Sequence, residues 1–193
     1  MRRISKLCII FTVLLAVAAC GSRYNPQTGK YTVFGTSKFE LPQGYKDLGG
    51  LGVSVLPKYF ESGAYPYQTF NTTVFGEGEA YILSQVMQVS NSRYYLRPLL
   101  GTGVSKWGSS WRLNTFQVDP NNTSVEYRRY FEFIKSKGHP LASGYKMDMY
   151  DRLIGRRTVA RVLVLTPDAV SGNPPAPEAK ELYTLERDDF RNR

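Results

Sequence analysis

Short runs of β-branched and aromatic residues, separated by turn-forming residues, constrain the fold of this chain more than any other feature. Such runs are typical of strands, whereas a surface helix needs apolar residues three and four positions apart. The 14 Tyr, 10 Phe and 2 Trp also suit sheets. Strands are therefore predicted near residues 49–57, 72–75, 80–89, 93–100, 110–118, 145–151 and 158–165.

The segments between these runs predict how the strands connect. The tripeptide Ser90-Asn91-Ser92 predicts a turn that joins the flanking strands as an antiparallel hairpin. Three glycines between residues 101 and 108 mark a second connection, and residues 58–68 are expected to form a loop. The run at residues 158–165 is apolar on both of its faces, so we expect it near the centre of the sheet.

One segment has helical spacing instead. Asn122 or Thr123 is a suitable N-cap, and Gly138 follows the last apolar position, so a helix is predicted to run to about Lys137. Its apolar residues fall at i, i+3, i+4 and i+7, at Tyr127, Tyr130, Phe131 and Ile134. The predicted fold class is therefore α+β, with an antiparallel sheet of five to seven strands, one packed helix and a polar C-terminal tail.

The first 21 residues have the pattern of an export signal. Arg2, Arg3 and Lys6 precede an uncharged run that is shorter than the roughly 20 apolar residues of a membrane span. The run closes on Val17-Ala18-Ala19-Cys20, which resembles the lipobox of bacterial lipoproteins. The resemblance implies that Cys20 is acylated and becomes the first residue of the mature protein. The alternative is an ordinary signal peptide that happens to end in a cysteine.

The same resemblance implies where the protein resides. Gly21 is not the aspartate that retains lipoproteins in the inner membrane of enteric bacteria, so we expect lipid anchoring at the cell outer membrane, facing the periplasm or the cell surface. The expected organisation is a signal peptide at residues 1–19, a lipidated tether at 20–44, a single α+β domain at 45–167, and a Pro-rich linker with a charged tail at 168–193. A short strand at residues 31–34 and a terminal helix or frayed tail after residue 178 also fit the pattern.

Composition restricts the chemistry that is available. Cys8 would leave with the signal and Cys20 would carry lipid, so the mature chain would have no disulfide and no cysteine metal ligand. His139 is the single histidine, so we expect no metal and no cofactor. Removal of residues 1–19 lowers the formal net charge from +9 to +6, because Arg2, Arg3 and Lys6 leave with it. This excess favours an anionic partner, but nucleic acid is not expected in the envelope.

Carboxylates are the remaining catalytic option. Glycan hydrolysis requires two acids on either side of the scissile bond, and the pairs Glu77/Glu79 and Asp148/Asp151 are close in sequence. The other interpretation is that these acids are solvated surface charges. We expect no catalytic residues, and a carboxylate-dependent cell-wall or glycan hydrolase remains an alternative.

A stretch rich in aromatic and basic residues is the candidate ligand site. Aromatic rings stack on sugar faces, and guanidinium groups bind phosphates or carboxylates. The candidate ligand residues are Arg93, Tyr95, Arg97, Trp107 and Trp111. Alternatively, Trp107 and Trp111 close a hairpin against the core.

A second basic region predicts a solvated sheet face or edge, or a contact with an acidic protein partner. It comprises Arg152, Arg156, Arg157 and Arg161. Together these features predict a lipid-anchored, non-catalytic envelope lipoprotein that binds another envelope protein or an anionic glycan. A structural subunit of an envelope secretion or transport assembly is a further alternative.

Overall fold

The computed structural model describes the parts of the chain that hold its sheets and one helix. These are residues 23–25, 30–33, 37–55, 58–59, 68–89, 94–98, 101–168, 176 and 183–187. The predicted signal peptide, the predicted lipidation site Cys20 and the candidate ligand residue Arg93 lie outside the described residues.

Thirteen strands and one helix form in the described part of the chain. Helix α1 (Val125–Ser136) lies between the tenth and eleventh strands. The strands are β1 (Arg23–Asn25), β2 (Lys30–Val33), β3 (Ser37–Glu40), β4 (Lys46–Val55), β5 (Lys58–Tyr59), β6 (Gln68–Glu77), β7 (Ala80–Gln88), β8 (Tyr94–Pro98), β9 (Thr102–Lys106), β10 (Ser109–Val118), β11 (Tyr145–Ile154), β12 (Thr158–Pro167) and β13 (Tyr183–Arg187).

The main sheet has seven antiparallel strands in the order β4-β6-β7-β12-β11-β10-β9. With helix α1 it confirms the α+β class and the predicted strand number. Strand β12 is the fourth of the seven and therefore central, as its apolar faces predicted. Val159 and Leu163 on one face and Val162 on the other are all buried, which explains why this strand lacks the polar alternation of a half-exposed one.

Helix α1 confirms the predicted amphipathic pattern. Its buried residues are the four that the spacing indicated, Tyr127, Tyr130, Phe131 and Ile134. The N-cap position is Ser124 rather than Asn122 or Thr123, and its side chain makes no capping hydrogen bond. At the other end, Gly138 has a φ of +76°, the left-handed conformation that commonly ends a helix. Phe131 stacks on Tyr145 of β11 with 5.6 Å between ring centroids, which joins the helix to the sheet.

The predicted hairpin around Ser90-Asn91-Ser92 is wrong. Strand β7 pairs with β6 on one side and with β12 on the other, so no edge of it remains for β8. The β6–β7 connection is a tight turn in which Glu77 lies opposite Ala80 and Gly78 has a φ of +58°. β8 instead pairs with β13, and β9 forms where only a glycine-rich connection was expected.

Both ends of the chain carry strands beyond the predicted ones, although β2 overlaps the short strand that fitted the pattern at residues 31–34. Residues 183–187, expected as part of a helix or frayed tail, form β13, which is antiparallel to β8 and parallel to β5. Residues 23–40, expected as an irregular tether, contain the three-stranded antiparallel sheet β1-β2-β3. The proline and glycine that suggested an irregular tether, at residues 26–29, lie between β1 and β2 in the sequence and outside the described residues.

The chain divides into two compact units. One comprises Met1–Gln43 with Ser105–Ser109, and the other comprises Gly44–Val104 with Ser110–Arg193. The second unit holds helix α1 and the hydrophobic core, in which side chains of β6, β7, β11 and β12 pack with the apolar face of the helix. Within the described part of the chain, no helix combines the length and apolarity that crossing a bilayer requires.

The packing of α1 on the sheet predicts a large stability cost for Ile134→Ala. Ile134 is 0 % exposed, and deletion of a buried aliphatic side chain leaves a cavity that costs about 2–5 kcal/mol. The matched control is Val125→Ala on the same helix, where the side chain is 64 % exposed and the expected change is within about 0.5 kcal/mol. Urea unfolding followed by circular dichroism measures both, and equal midpoints would contradict the assigned helix orientation.

Candidate functional site

A row of polar side chains crosses the main sheet on the face that carries α1. Residues directly opposite each other on paired strands point to the same side. Thr72 of β6, Gln85 of β7, Arg161 of β12, Asp151 of β11 and Arg112 of β10 are successive cross-strand partners, and we call them the polar row. The flanking rows on this face are apolar, with Leu83, Leu163 and Met149 on one side and Met87, Val159 and Leu153 on the other.

The centre of the polar row is a buried ion pair. The Arg161 guanidinium donates from Nε to Asp151 Oδ1 at 2.7 Å and from a terminal nitrogen to Oδ2 at 3.4 Å. Arg161 is 1 % exposed and Asp151 is 6 % exposed. The guanidinium also lies 4.6 Å from the centroid of the Phe70 ring, which covers its face. Both oxygens of the carboxylate therefore accept hydrogen bonds, and the two opposite charges cancel locally.

This pair depends on both of its partners. Removing two charges from water costs several kcal/mol per ion, and attraction offsets that cost only when the geometry satisfies the hydrogen bonds. The two-point contact between Arg161 and Asp151 is the arrangement that a planar guanidinium favours with a carboxylate. Because the two residues are direct cross-strand neighbours, the β11–β12 register sets this geometry.

The other half of the polar row lies under helix α1. Gln85 donates from Nε2 to the Thr72 hydroxyl at 3.2 Å, and both residues are buried. Burial raises the pKa of Tyr127 above its ordinary value, and the positive charge of Arg161 opposes that rise. Burial likewise raises the pKa of Tyr130, with a further contribution from Glu126. Two neutral phenols of the helix therefore lie close to the charges of the row.

A cavity of about 510 Å³ opens at the Arg112 end of the polar row. Its size is within the range of small-molecule sites. All of its lining residues belong to strands β9 to β12 at one end of the sheet. They are Gly103, Ser110, Trp111, Arg112, Asp151, Arg152, Leu153 and Val159. On the face that carries α1, the lining combines the apolar side chains of Leu153 and Val159 with the Arg112 guanidinium and the Asp151 carboxylate. Trp111 and Arg152 are their strand neighbours and point to the opposite face.

Arg112 is positioned by the glycine-rich segment before β9. Its exposed side chain donates from Nη1 to the Gly101 carbonyl at 3.3 Å. Gly101 has a φ of +111°, and a Cβ built there would lie 2.8 Å from the Arg112 Cβ, so glycine is required at this position. At Gly103, in contrast, a Cβ would meet nothing within 4 Å. This wall of the cavity therefore has room for a side chain.

The structure distributes the candidate ligand residues over different surroundings. Of the four that it describes, Trp111 lines the cavity and is 3 % exposed. The Arg156 guanidinium lies 4.2 Å from the Tyr95 ring centroid, so this ring already has a cationic neighbour. Arg97 is exposed on β8, opposite Thr184 of β13.

Trp107 lies in the tight turn between β9 and β10. Its φ of +50° and the +71° of Gly108 are both positive, which is the conformation of two-residue hairpin turns. The Trp107 ring centroid is 5.6 Å from that of Phe39, and the Lys106 Nζ lies 4.7 Å from the Trp107 centroid. Trp107 and Trp111 therefore occupy different surroundings.

The candidate carboxylate pairs do not form an acid–base pair in one cleft. Asp148 and Asp151 are three residues apart on β11, so they point to opposite faces. Asp148 accepts a hydrogen bond from Thr115 at 2.7 Å and lies 3.6 Å from the Lys146 Nζ. Glu77 and Glu79 are both exposed at the β6–β7 turn.

The side chains of the second basic region are not all solvated, as a solvated sheet face would require. Arg156 and Arg157 are exposed in the β11–β12 turn, and Arg152 is half-buried, but Arg161 is among the most deeply buried side chains of the protein. A solvated role is therefore wrong for Arg161. Sequence reasoning also missed that Arg112 and Asp151 line one cavity. The sequence did contain a signal for the buried ion pair. Every second residue of β11 and of β12 is apolar along one face, apart from Asp151 on β11 and Arg161 on β12, which carry opposite charges.

Comparison with known proteins finds no match, so the function is inferred from the geometry of the structure. The chain matches no protein-family model, no curated protein and no solved structure. Among the described residues, no three His, Cys, Asp or Glu side chains are grouped as a set of metal ligands.

Removing one partner of the buried pair is predicted to destabilise the protein strongly. Asp151→Leu leaves Arg161 buried without a counter-charge, and such a change costs about 3–5 kcal/mol. The double variant Asp151→Leu/Arg161→Met removes both charges, so it is expected to regain most of that loss. Asp148→Asn, on the opposite face, is the control and is expected to cost less than about 1 kcal/mol. Denaturant unfolding of wild type, Asp151→Leu, Arg161→Met, the double variant and the control gives the coupling energy, and additive single-variant effects would contradict the assigned pair.

The buried tyrosines predict a loss of stability at high pH. Unfolded tyrosines ionise near pH 10, but Tyr127 and Tyr130 retain their protons in the fold, so the folded state binds more protons above pH 10. Stability is therefore complete below about pH 10 and falls above it, by up to about 1.4 kcal/mol per pH unit for each residue. Urea unfolding between about pH 9 and pH 12 measures the slope. Tyr127→Phe/Tyr130→Phe is expected to have a shallower slope, and an unchanged slope would show that other groups control it.

Proposed function

We propose that this protein is a lipid-anchored, non-catalytic binding module of the bacterial envelope, held at the outer membrane by acylated Cys20. The observation that carries the binding part of the proposal is the cavity beside the Asp151–Arg161 pair. Its lining offers an exposed guanidinium, Arg112, beside the apolar side chains of Leu153 and Val159. Apolar walls with a few placed polar groups are typical of ligand sites in proteins.

The anchoring part of the proposal is supported by sequence alone. The lipobox-like Val17-Ala18-Ala19-Cys20 follows a basic start and a short apolar run. A single acyl chain binds membranes only marginally, whereas two or more give stable attachment, as the acylation of bacterial lipoproteins provides. Confinement to a surface would raise the local concentration of the cavity near an envelope ligand.

A non-catalytic role is supported by what the acidic residues do. A general acid must exchange a proton with substrate, and its partner must face the same bond. Both carboxylate oxygens of Asp151 accept hydrogen bonds from Arg161. Asp148 points to the other face and accepts a hydrogen bond from Thr115. These contacts suit structural roles better than proton transfer, so the geometry favours binding over glycan hydrolysis.

The edge of the main sheet favours a ligand-binding module over a subunit that assembles by strand addition. β4 is an edge strand, and its register with β6 shifts between Asp47 and Gly49. Gly49 has a φ of +102°, and its N–H donates to the Asp47 carboxylate at 2.7 Å. Bulges of this kind blunt an edge against pairing with another chain.

The anchoring proposal predicts that Cys20→Ala abolishes lipid attachment. The full chain is expressed in a Gram-negative host that is fed an alkyne-bearing fatty acid, and the label and the membrane fraction of the protein are measured. Wild type is expected to be labelled and to fractionate with the outer membrane, whereas Cys20→Ala is expected to be unlabelled.

The matched control is Cys8→Ala, since Cys8 lies within the predicted signal and is not the acylated residue. It is expected to behave as wild type does. Labelling of Cys20→Ala at the wild-type level, or an unlabelled wild-type protein, would contradict the lipoprotein assignment.

A further inference from the structure

We infer that the cavity between β9 and β12 binds a small anionic saccharide through one phosphate or carboxylate group, with Arg112 as its main contact. This inference deepens the proposed function, because it names the ligand class of the same site. It assigns a binding role to Arg112 itself. The cavity volume of about 510 Å³ limits the occupant to a small molecule or a short part of a polymer.

The charge of the lining selects an anion. Two charged side chains of the lining, Arg112 and Asp151, are direct cross-strand partners and point to the same face. Asp151 is neutralised by the buried Arg161, because both of its oxygens accept hydrogen bonds from that guanidinium. A cation would therefore meet Arg112 and an already paired carboxylate, whereas an anion would meet complementary charge.

The geometry of Arg112 suits the recognition of a planar or tetrahedral anion. Its side chain is exposed, and one of its guanidinium nitrogens donates to the Gly101 carbonyl. A guanidinium has five N–H donors, so the others can form a two-point contact with a phosphate or carboxylate. The Gly101 contact restricts the side chain before the ligand arrives, which lowers the entropy cost of binding.

The remaining lining indicates that the ligand is more than a bare ion. Leu153 and Val159 add apolar surface to the cavity on the face of Arg112, and a free phosphate would leave that surface in contact with water. A sugar ring has apolar C–H faces together with hydroxyls, so a charged sugar matches both parts of the lining. A neutral sugar would leave Arg112 without its anion.

The test measures binding to the full chain, expressed in bacteria and purified in non-ionic detergent. Isothermal titration calorimetry compares glucose 1-phosphate, inorganic phosphate and glucose at low salt. Glucose 1-phosphate is expected to bind more tightly than inorganic phosphate, and glucose is expected not to bind. Arg112→Ala is expected to weaken glucose 1-phosphate binding about 10-fold or more, the size of a lost charge-assisted hydrogen bond.

Two further variants separate the cavity from general surface charge. Arg129→Ala removes an exposed arginine of α1 outside the lining and is expected to leave the affinity unchanged. Gly103→Leu adds a side chain at a wall position with open space and no positive φ, so it is expected to block binding while the protein remains folded. Thermal unfolding of each variant confirms that it is folded.

Several results would overturn the inference. Equal losses of affinity in Arg112→Ala and Arg129→Ala would show that the binding depends on general surface charge and not on the cavity. Equal affinity for inorganic phosphate and glucose 1-phosphate would show that the sugar ring does not contribute to binding. Absence of binding to both would show that the cavity is not an anion site. Fatty-acid labelling of Cys20 is measured separately. A labelled protein that binds no anion would refute this inference but not the lipid anchor. An unlabelled protein that binds the anion would refute the lipid anchor but not this inference.

Discussion

The buried ion pair between Arg161 and Asp151 is the interaction on which the rest of the structure depends. It joins the central strand β12 to β11 in the middle of an apolar face, where an unpaired charge would be strongly destabilising. A register slip of one residue would move one of the two charges to the opposite face. The pair therefore specifies the alignment of β11 with β12, and the pairing of β10 with β11 then places Arg112 opposite Asp151.

The same pair determines what the cavity presents to a ligand. Without Arg161, the carboxylate of Asp151 would face the cavity as a negative charge beside Arg112. With Arg161 beside it, the carboxylate is neutralised, and the positive charge of Arg112 dominates that face of the lining. The helix adds a further layer, since the phenols of Tyr127 and Tyr130 lie over the polar row and exclude water from it. Fold stability and the charge of the site thus have a common origin.

Local patterns in the sequence predicted the elements well but predicted their partners poorly. The spacing from Tyr127 to Ile134 specified the helix and its buried face, and the doubly apolar run at residues 158–165 identified the central strand. The pairing of β8 with β13 joins segments about 90 residues apart, which local pattern cannot reveal. Arg161 was assigned to solvent because an arginine on an alternating strand is usually solvated. Its burial depends on Asp151, ten residues earlier, and on the register that makes them neighbours.

The most direct test of the account is a map of where an anion binds on the wild-type protein. Two-dimensional ¹H–¹⁵N NMR of the isotopically labelled full chain in detergent micelles, titrated with glucose 1-phosphate, reports each backbone amide separately. The account predicts saturable shifts that concentrate at Gly103, Ser110, Arg112 and Arg152 and that share one dissociation constant. Shifts distributed over the exposed basic residues of α1 and the β11–β12 turn, without saturation, would contradict it.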